Sequence, residues 1–174
     1  MYAVFGDSYV TRLKTFTGKN LKFEGSNIKF YDRPGMSTRH KYEEQLNQLC
    51  EDRPQYVFII IGGNDINTAT TPATIAENLK TLVKEMKWCG IERVFFMSIC
   101  QRGKFRDRSM TEVVYRKMKT SVNDKMRHFL KSDYVNGDMH IKYPQHFSGD
   151  GVHLNQSGLK KLKRVIFKTF KKTV

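Results

Sequence analysis

Two runs of the chain, Tyr56 to Ile61 and Val94 to Ile99, are almost wholly apolar and rich in β-branched and aromatic residues. A strand carries such a run when both of its faces are buried, the condition of a parallel sheet with helices on either side. Two shorter runs also read as strands. Tyr2 to Phe5 ends at Gly6, and Ile28 to Tyr31 alternates apolar with polar residues before Asp32-Arg33-Pro34-Gly35. Residues 134–141 supply a weaker, interrupted fifth strand.

Helical patterns separate these runs. Tyr42, Leu46 and Leu49 fall on one helical face. Thr71 and Pro72 form a helix start, with a cap followed by proline at the first helical position. Ile75, Leu79, Leu82, Val83 and Met86 then make an inward stripe, and Gly90 marks the end. Val114, Met118, Val122, Met126 and Phe129 predict a further helix, and Ser157 is expected to cap a last one that turns Leu159, Leu162, Ile166 and Phe170 inward. Strands alternating with helices define a three-layer α/β/α architecture. With no repeat or linker, residues 1–174 read as one domain, and 39% hydrophobic residues suffice for its core.

No apolar stretch approaches the ~20 residues of a membrane span. Met1 leads straight into a strand with no signal-peptide pattern. The cysteines Cys50, Cys89 and Cys100 are odd in number and lack CxxC or zinc spacing. Neither a disulfide scaffold nor a metal site is therefore expected, and an intracellular, cytoplasmic setting follows from that reading.

In open sheets of this kind, ligands bind beyond the carboxyl ends of the strands. Those ends carry Gly6-Asp7-Ser8, then Gly35, then Gly62-Gly63-Asn64-Asp65. A serine hydroxyl is a weak nucleophile until a base takes its proton, and the base is usually a histidine oriented by a carboxylate. Of His40, His128, His140, His146 and His153, only His153 has a carboxylate close by in a turn, in Asp150-Gly151-Val152-His153. The other four are expected at the surface. The same tetrapeptide also reads as an Asp-Gly turn leading into a helix, with His153 a bystander. Acyl transfer further needs donors aimed at a developing oxyanion. The backbone N–H groups of Ser8 and Gly35 and the side-chain amide of Asn64 are candidates, although Gly35 also suits a turn after Pro34, and Asn64-Asp65 a helix cap. The chain has no GxxxxGK[ST] phosphate loop, no GxGxxG after the first strand, no HExxH and no GxSxG elbow.

Together and in this order, the motifs resemble those of the SGNH (GDSL-type) hydrolase superfamily. Gly6-Asp7-Ser8 matches its first block, followed by Tyr9 where many members have Leu. Gly62-Gly63-Asn64-Asp65 fits GxND, Asp150 to His153 fits DxxH, and the second block rests on Gly35 alone. The resemblance implies a flavodoxin-like sheet of about five parallel strands and a two-step acyl-enzyme mechanism that needs no metal or cofactor. It makes Ser8 the nucleophile, His153 the base and Asp150 its partner, with Ser8, Gly35 and Asn64 as the oxyanion hole. Members act on lipids, short acyl esters, thioesters and acetyl groups of sugars. A chain of 174 residues leaves little room for a lid, which favours short acyl or acetyl esters.

The formal net charge of +14 is segregated. Residues 101–131 carry +7, residues 151–174 carry +7, and the remainder is neutral. Lys160, Arg164, Lys168 and Lys172 form one ridge at four-residue spacing. Such a surface suits an anionic partner, either nucleic acid or an anionic lipid surface. In this it resembles the esterase domain of LINE-type retrotransposon RNA-binding proteins. A second functional class follows, a binding module on the same scaffold.

Overall fold

The computed structural model describes all 174 residues. Its elements are β1 (Tyr2–Gly6), α1 (Ser8–Thr17), β2 (Lys22–Phe23), β3 (Ser26–Asp32), α2 (Glu43–Asp52), β4 (Tyr56–Ile60), α3 (Pro72–Trp88), β5 (Arg93–Met97), α4 (Glu112–Leu130), β6 (Tyr134–Val135) and α5 (Gln156–Phe170). One six-stranded sheet runs β2-β3-β1-β4-β5-β6. Every pairing is parallel except the β2–β3 hairpin. The five parallel strands therefore have the doubly wound order of flavodoxin-type sheets, and β2 is an addition at one edge. Two residues are too short to show any periodicity. The hairpin is made by Glu24 and Gly25, both at positive φ, the conformation a two-residue turn needs.

The strands alternate their side chains between two cores. Val57 and Ile59 of β4 join Leu79, Val83, Val122 and Met126 of α3 and α4 on one face. Phe58 and Ile60 join Val10 and Leu13 of α1 and Leu162, Ile166 and Phe170 of α5 on the other. This is the two-sided burial that the unbroken apolar runs require. Thr71 caps α3 as expected, accepting a hydrogen bond from the Thr74 N–H.

Several elements depart from the sequence reading. Only Tyr134 and Val135 of the fifth run pair with β5; the chain then turns at Gly137–Met139. Asn155, not Ser157, caps α5, its Oδ1 accepting from the Gly158 N–H at 2.8 Å. In α4 the buried face is Tyr115, Lys119, Val122, Asn123 and Met126, whereas Val114 is 39% exposed. The stripe is rotated because polar residues reach the core with partners: Lys119 pairs with Asp138, and Asn123 bonds both the N–H and the carbonyl of Ile99.

The cysteine expectation is also corrected. Cys50, in the last turn of α2, and Cys89, just past α3, form a disulfide with Cα atoms 5.5 Å apart. Spacing along the chain does not bear on this, since the bond needs only two helix ends lying side by side. The free thiol is the buried Cys100. The cysteines thus give no support to a reducing compartment.

Candidate active site

β1 ends at Gly6, where a side chain could not fit: a Cβ would lie 2.0 Å from the Ile60 carbonyl oxygen of β4. Asp7 follows as the N-cap of α1, accepting from the Tyr9 N–H at 3.0 Å. Ser8 is consequently the first residue of a helix, where backbone N–H groups lack intrahelical partners and the helix dipole favours negative charge.

Opposite Ser8 stands His153, its Nε2 3.1 Å from Ser8 Oγ. The other ring nitrogen, Nδ1, is 2.6 Å from Asp150 Oδ2. Asp150 Oδ1 accepts from the N–H groups of Val152 and His153, each at 2.9 Å, and from the Ser148 hydroxyl at 2.8 Å. Burial pushes this carboxyl up, but the hydrogen bonds from the backbone and ring of His153, from Val152 and from Ser148 outweigh it and hold the pKa well below the usual range. Asp150 is therefore a stable anion against the imidazole. A base in hydrogen-bond reach of a hydroxyl, itself held by a carboxylate, can take the hydroxyl proton and carry the resulting charge.

The turn holding His153 is tied to both neighbours. Tyr9 donates its hydroxyl to the Val152 carbonyl at 2.7 Å, and the Gly103 N–H bonds the Gly151 carbonyl at 2.9 Å. Tyr9 thus fastens the start of α1 to the Asp150–His153 turn.

Asn64 lies in the short turn Gly63–Asp65 after β4. Its Nδ2 donates to the Met36 carbonyl at 2.9 Å and lies 3.5 Å from Asp7 Oδ2, while its Oδ1 accepts from Arg102 at 3.1 Å. Gly35 sits in the loop after β3 with φ +77°, the left-handed region that favours glycine, one residue before that Met36 carbonyl. Buried Asp65 fastens the same loop, accepting from the Thr38 N–H at 3.0 Å and from its hydroxyl at 2.6 Å. Three strand ends are thus joined at one rim by side-chain bonds. Asp7 itself is only 1% exposed, and burial, partly offset by the Arg102 charge, raises its carboxyl to about 6.

Sequence reasoning missed Arg102 and Ser148, and it placed Tyr9 and Asp65 only as motif positions, without the bonds to Val152 and Thr38. Arg102 is one cation in a basic stretch, with nothing local to mark it as buried. His40 and His128 are exposed and His140 half-buried. His146 corrects the expectation of a surface residue: it is 4% exposed, with Nδ1 accepting from the Lys142 N–H. Lys160, Arg164 and Lys168 are exposed on α5, while Lys172, expected on the same helical ridge, is exposed in the short turn Lys171–Thr173 beyond the helix end; none of the four is in an ion pair. No group of three or more His, Cys, Asp or Glu residues is placed to hold a metal, and no helix is long and apolar enough to cross a membrane.

Residues 4–161 match the GDSL-like lipase/acylhydrolase family. The chain belongs to that family. Among solved structures it is similar to a GDSL-like lipase from Bacteroides thetaiotaomicron (17% identity over 99% of this chain and 88% of that one, TM-score 0.78). It is also similar to a lipase/acylhydrolase from Enterococcus faecalis (19% identity, 99% and 97%, TM-score 0.71). An acetylxylan esterase from Geobacillus stearothermophilus shares the fold at 16% identity, 97% and 92% coverage and a TM-score of 0.66. No curated protein matches the chain in sequence. At these identities the structural likeness speaks for the fold, and family membership for an esterase or acylhydrolase class. None of the proteins named is a retrotransposon protein, and the likeness to that subgroup stands on basic charge alone.

Proposed function

We propose that this GDSL-family member is a serine esterase that hydrolyses short acyl or acetyl esters through an acyl-enzyme. The observation that carries the reading is the continuous relay Ser8 Oγ–His153 Nε2 (3.1 Å) and His153 Nδ1–Asp150 Oδ2 (2.6 Å). In the first step Ser8 Oγ bonds to the ester carbonyl carbon as His153 takes its proton, and the carbonyl π pair moves to oxygen. The oxyanion is received by the Ser8 N–H, the Asn64 amide and the Gly35 N–H. Collapse expels the alcohol, which takes the proton from His153 and leaves an acyl-Ser8. Water then repeats the sequence, losing a proton to His153, and the acid departs as the proton returns to Ser8. Asp150 stays ionised throughout and stabilises the imidazolium.

The preference for short acyl groups is supported by where the surface is concave. The larger grooves are lined by other faces, and none includes Ser8, Gly35, Asn64, Asp150 or His153. The cavity that reaches the rim, lined by Asp7, Tyr9, Gly63 and Arg102 among others, holds about 20 Å³, room for a water and not for a long acyl chain. The test is labelling by a fluorophosphonate probe together with turnover of p-nitrophenyl esters of increasing chain length. Labelling lost in Ser8→Ala, with fastest turnover of acetyl or butyryl esters, is the expected result. Equal inertness of wild type and Ser8→Ala would refute the enzyme reading.

A second reading has its own observation. A groove of about 570 Å³ beside α5 is lined by Phe16, Lys160, Lys163, Arg164, Phe167, Lys168 and Lys171. Unpaired cations interleaved with aromatic rings suit single-stranded nucleic acid, as a retrotransposon-type esterase domain would require, or an anionic lipid headgroup surface. Charge reversal at Lys160, Arg164 and Lys168 should then abolish retention on single-stranded RNA or on anionic vesicles, and retention should weaken steeply with salt. Salt-independent binding would remove this reading and leave the esterase untouched.

A further inference from the structure

We infer that Arg102 is a positioning residue of the oxyanion site: its guanidinium fixes the side chain of Asn64 in the orientation that leaves an amide N–H for the substrate oxygen. The inference rests on the esterase reading for its chemistry, but its geometry is independent of any substrate.

Arg102 follows β5 and is only 9% exposed. Its NH1 donates to Asn64 Oδ1 at 3.1 Å. A guanidinium has five N–H donors and no acceptor, so it can face only the oxygen of an amide. On the other side, Asn64 Nδ2 meets the Met36 carbonyl at 2.9 Å and Asp7 Oδ2 at 3.5 Å, both acceptors. All three partners therefore specify the same orientation. A flipped amide would place NH₂ against a cation and oxygen against a carbonyl. Of the two Nδ2 hydrogens, one is held by Met36. The other faces Asp7 Oδ2 at 3.5 Å, at the limit of a hydrogen bond, a contact weak enough to be exchanged for a substrate oxyanion.

The surroundings are shaped for this arginine. A Cβ on Gly63 would lie 2.5 Å from Arg102 NH2, so glycine at that position lets the guanidinium lie against the turn that carries Asn64. Its Cζ is 6.0 Å from the centroid of the Tyr9 ring, and Tyr9 in turn is bonded to the Val152 carbonyl of the His153 turn. Arg102 thus lies behind the oxyanion donor and beside the residue that links Ser8 to its base. A cation on the carbonyl end of an amide also polarises its N–H groups toward a stronger donor, an effect enlarged in a water-poor site. Lysine would keep the charge and lose the planar fork.

A double-mutant cycle on the full chain tests this. Arg102→Gln should lower kcat for p-nitrophenyl acetate by ~10- to 100-fold with KM changed less than ~3-fold, since the lost contact is made in the transition state. Arg102→Lys should fall between that variant and wild type. In an Asn64→Ala background, Arg102→Gln should change kcat by less than ~3-fold, because the group it acts through is gone. Losses that multiply instead, or Arg102→Gln with kcat close to wild type, would overturn the inference. If Arg102→Gln does not fold, Arg102→Lys carries the same cycle. Should wild type show no Ser8 labelling and no turnover, the esterase reading fails, and the Asn64 side-chain amide signals in ¹⁵N spectra decide the Arg102 question. Their displacement or broadening in either Arg102 variant supports the hold on Asn64, and unchanged signals remove it.

Discussion

Two carboxylates within the site titrate in opposite directions, and the cause in each case is local. Asp150 is half exposed and receives N–H and O–H donors on one oxygen and the imidazole on the other, so its proton is lost well below the usual range. Replacing it by Asn keeps the shape but removes the anion that stabilises imidazolium; Asp150→Asn should lower kcat by ~100-fold or more with the fold retained by circular dichroism. A loss under tenfold would show that His153 works without its partner. Asp7 is buried, and burial raises its carboxyl to about 6 from an ordinary value of 3.8. The folded protein then holds this proton more tightly than the unfolded chain. The contribution of Asp7 to stability is therefore full below pH 3.8 and is lost as pH rises through about 6. The difference corresponds to up to ~3 kcal/mol. Carboxyl ¹³C shifts of Asp7 should give a midpoint near 6, and a midpoint near 4 would mean that water or Arg102 solvates the ion in the fold.

At the scale of elements, the site is held by the ends of helices and strands rather than by their interiors. Asn155 both caps α5 and donates through Nδ2 to the Gln145 and Phe147 carbonyls, joining the helix to the segment that leads into the Asp150–His153 turn. Asn155→Ala should cost about 1–2 kcal/mol in thermal or urea unfolding, with the helix start loosened. Tyr9→Phe removes the one hydroxyl that ties α1 to Val152. It should reduce kcat more than it reduces stability, because the core contact of the ring remains. Comparable wild-type kcat in Tyr9→Phe would show that the turn is placed by Gly103 and Ser148 alone. These contacts also explain what could be read from the sequence. Buried strands β4 and β5, the Thr71 cap and the motifs around Ser8, Asn64 and His153 are local patterns, so they are visible as strings of residues. The Arg102–Asn64, Tyr9–Val152 and Asp65–Thr38 bonds join residues between 27 and 143 positions apart. No short pattern encodes them. The rotated face of α4 has the same origin, since Lys119 and Asn123 look polar until Asp138 and Ile99 are folded beside them.

For the whole molecule, the rim that carries Ser8 lies at the carboxyl end of the parallel strands, while the helices return in the opposite sense. The carboxyl ends of α2 and α3, and with them the Cys50–Cys89 bond, therefore lie at the far edge of the sheet. The bond closes a loop spanning 39 positions that contains β4, α3 and the Asn64 turn. By loop-closure entropy alone such a link contributes at most ~4 kcal/mol, acting mainly on the unfolded chain. Its removal should therefore lower stability without moving the relay at the opposite rim. Cys50→Ala/Cys89→Ala, or wild type with a strong reductant, should melt lower, by at most ~8–15 °C. At 25 °C the same protein should label at Ser8 as fast as the oxidised form. Identical melting of oxidised and reduced protein would mean that the bond adds nothing in solution. Slower Ser8 labelling of the reduced form at 25 °C would mean instead that the loop from α2 to α3 transmits its order through β4 to Asn64, and that the far edge of the sheet governs the oxyanion site.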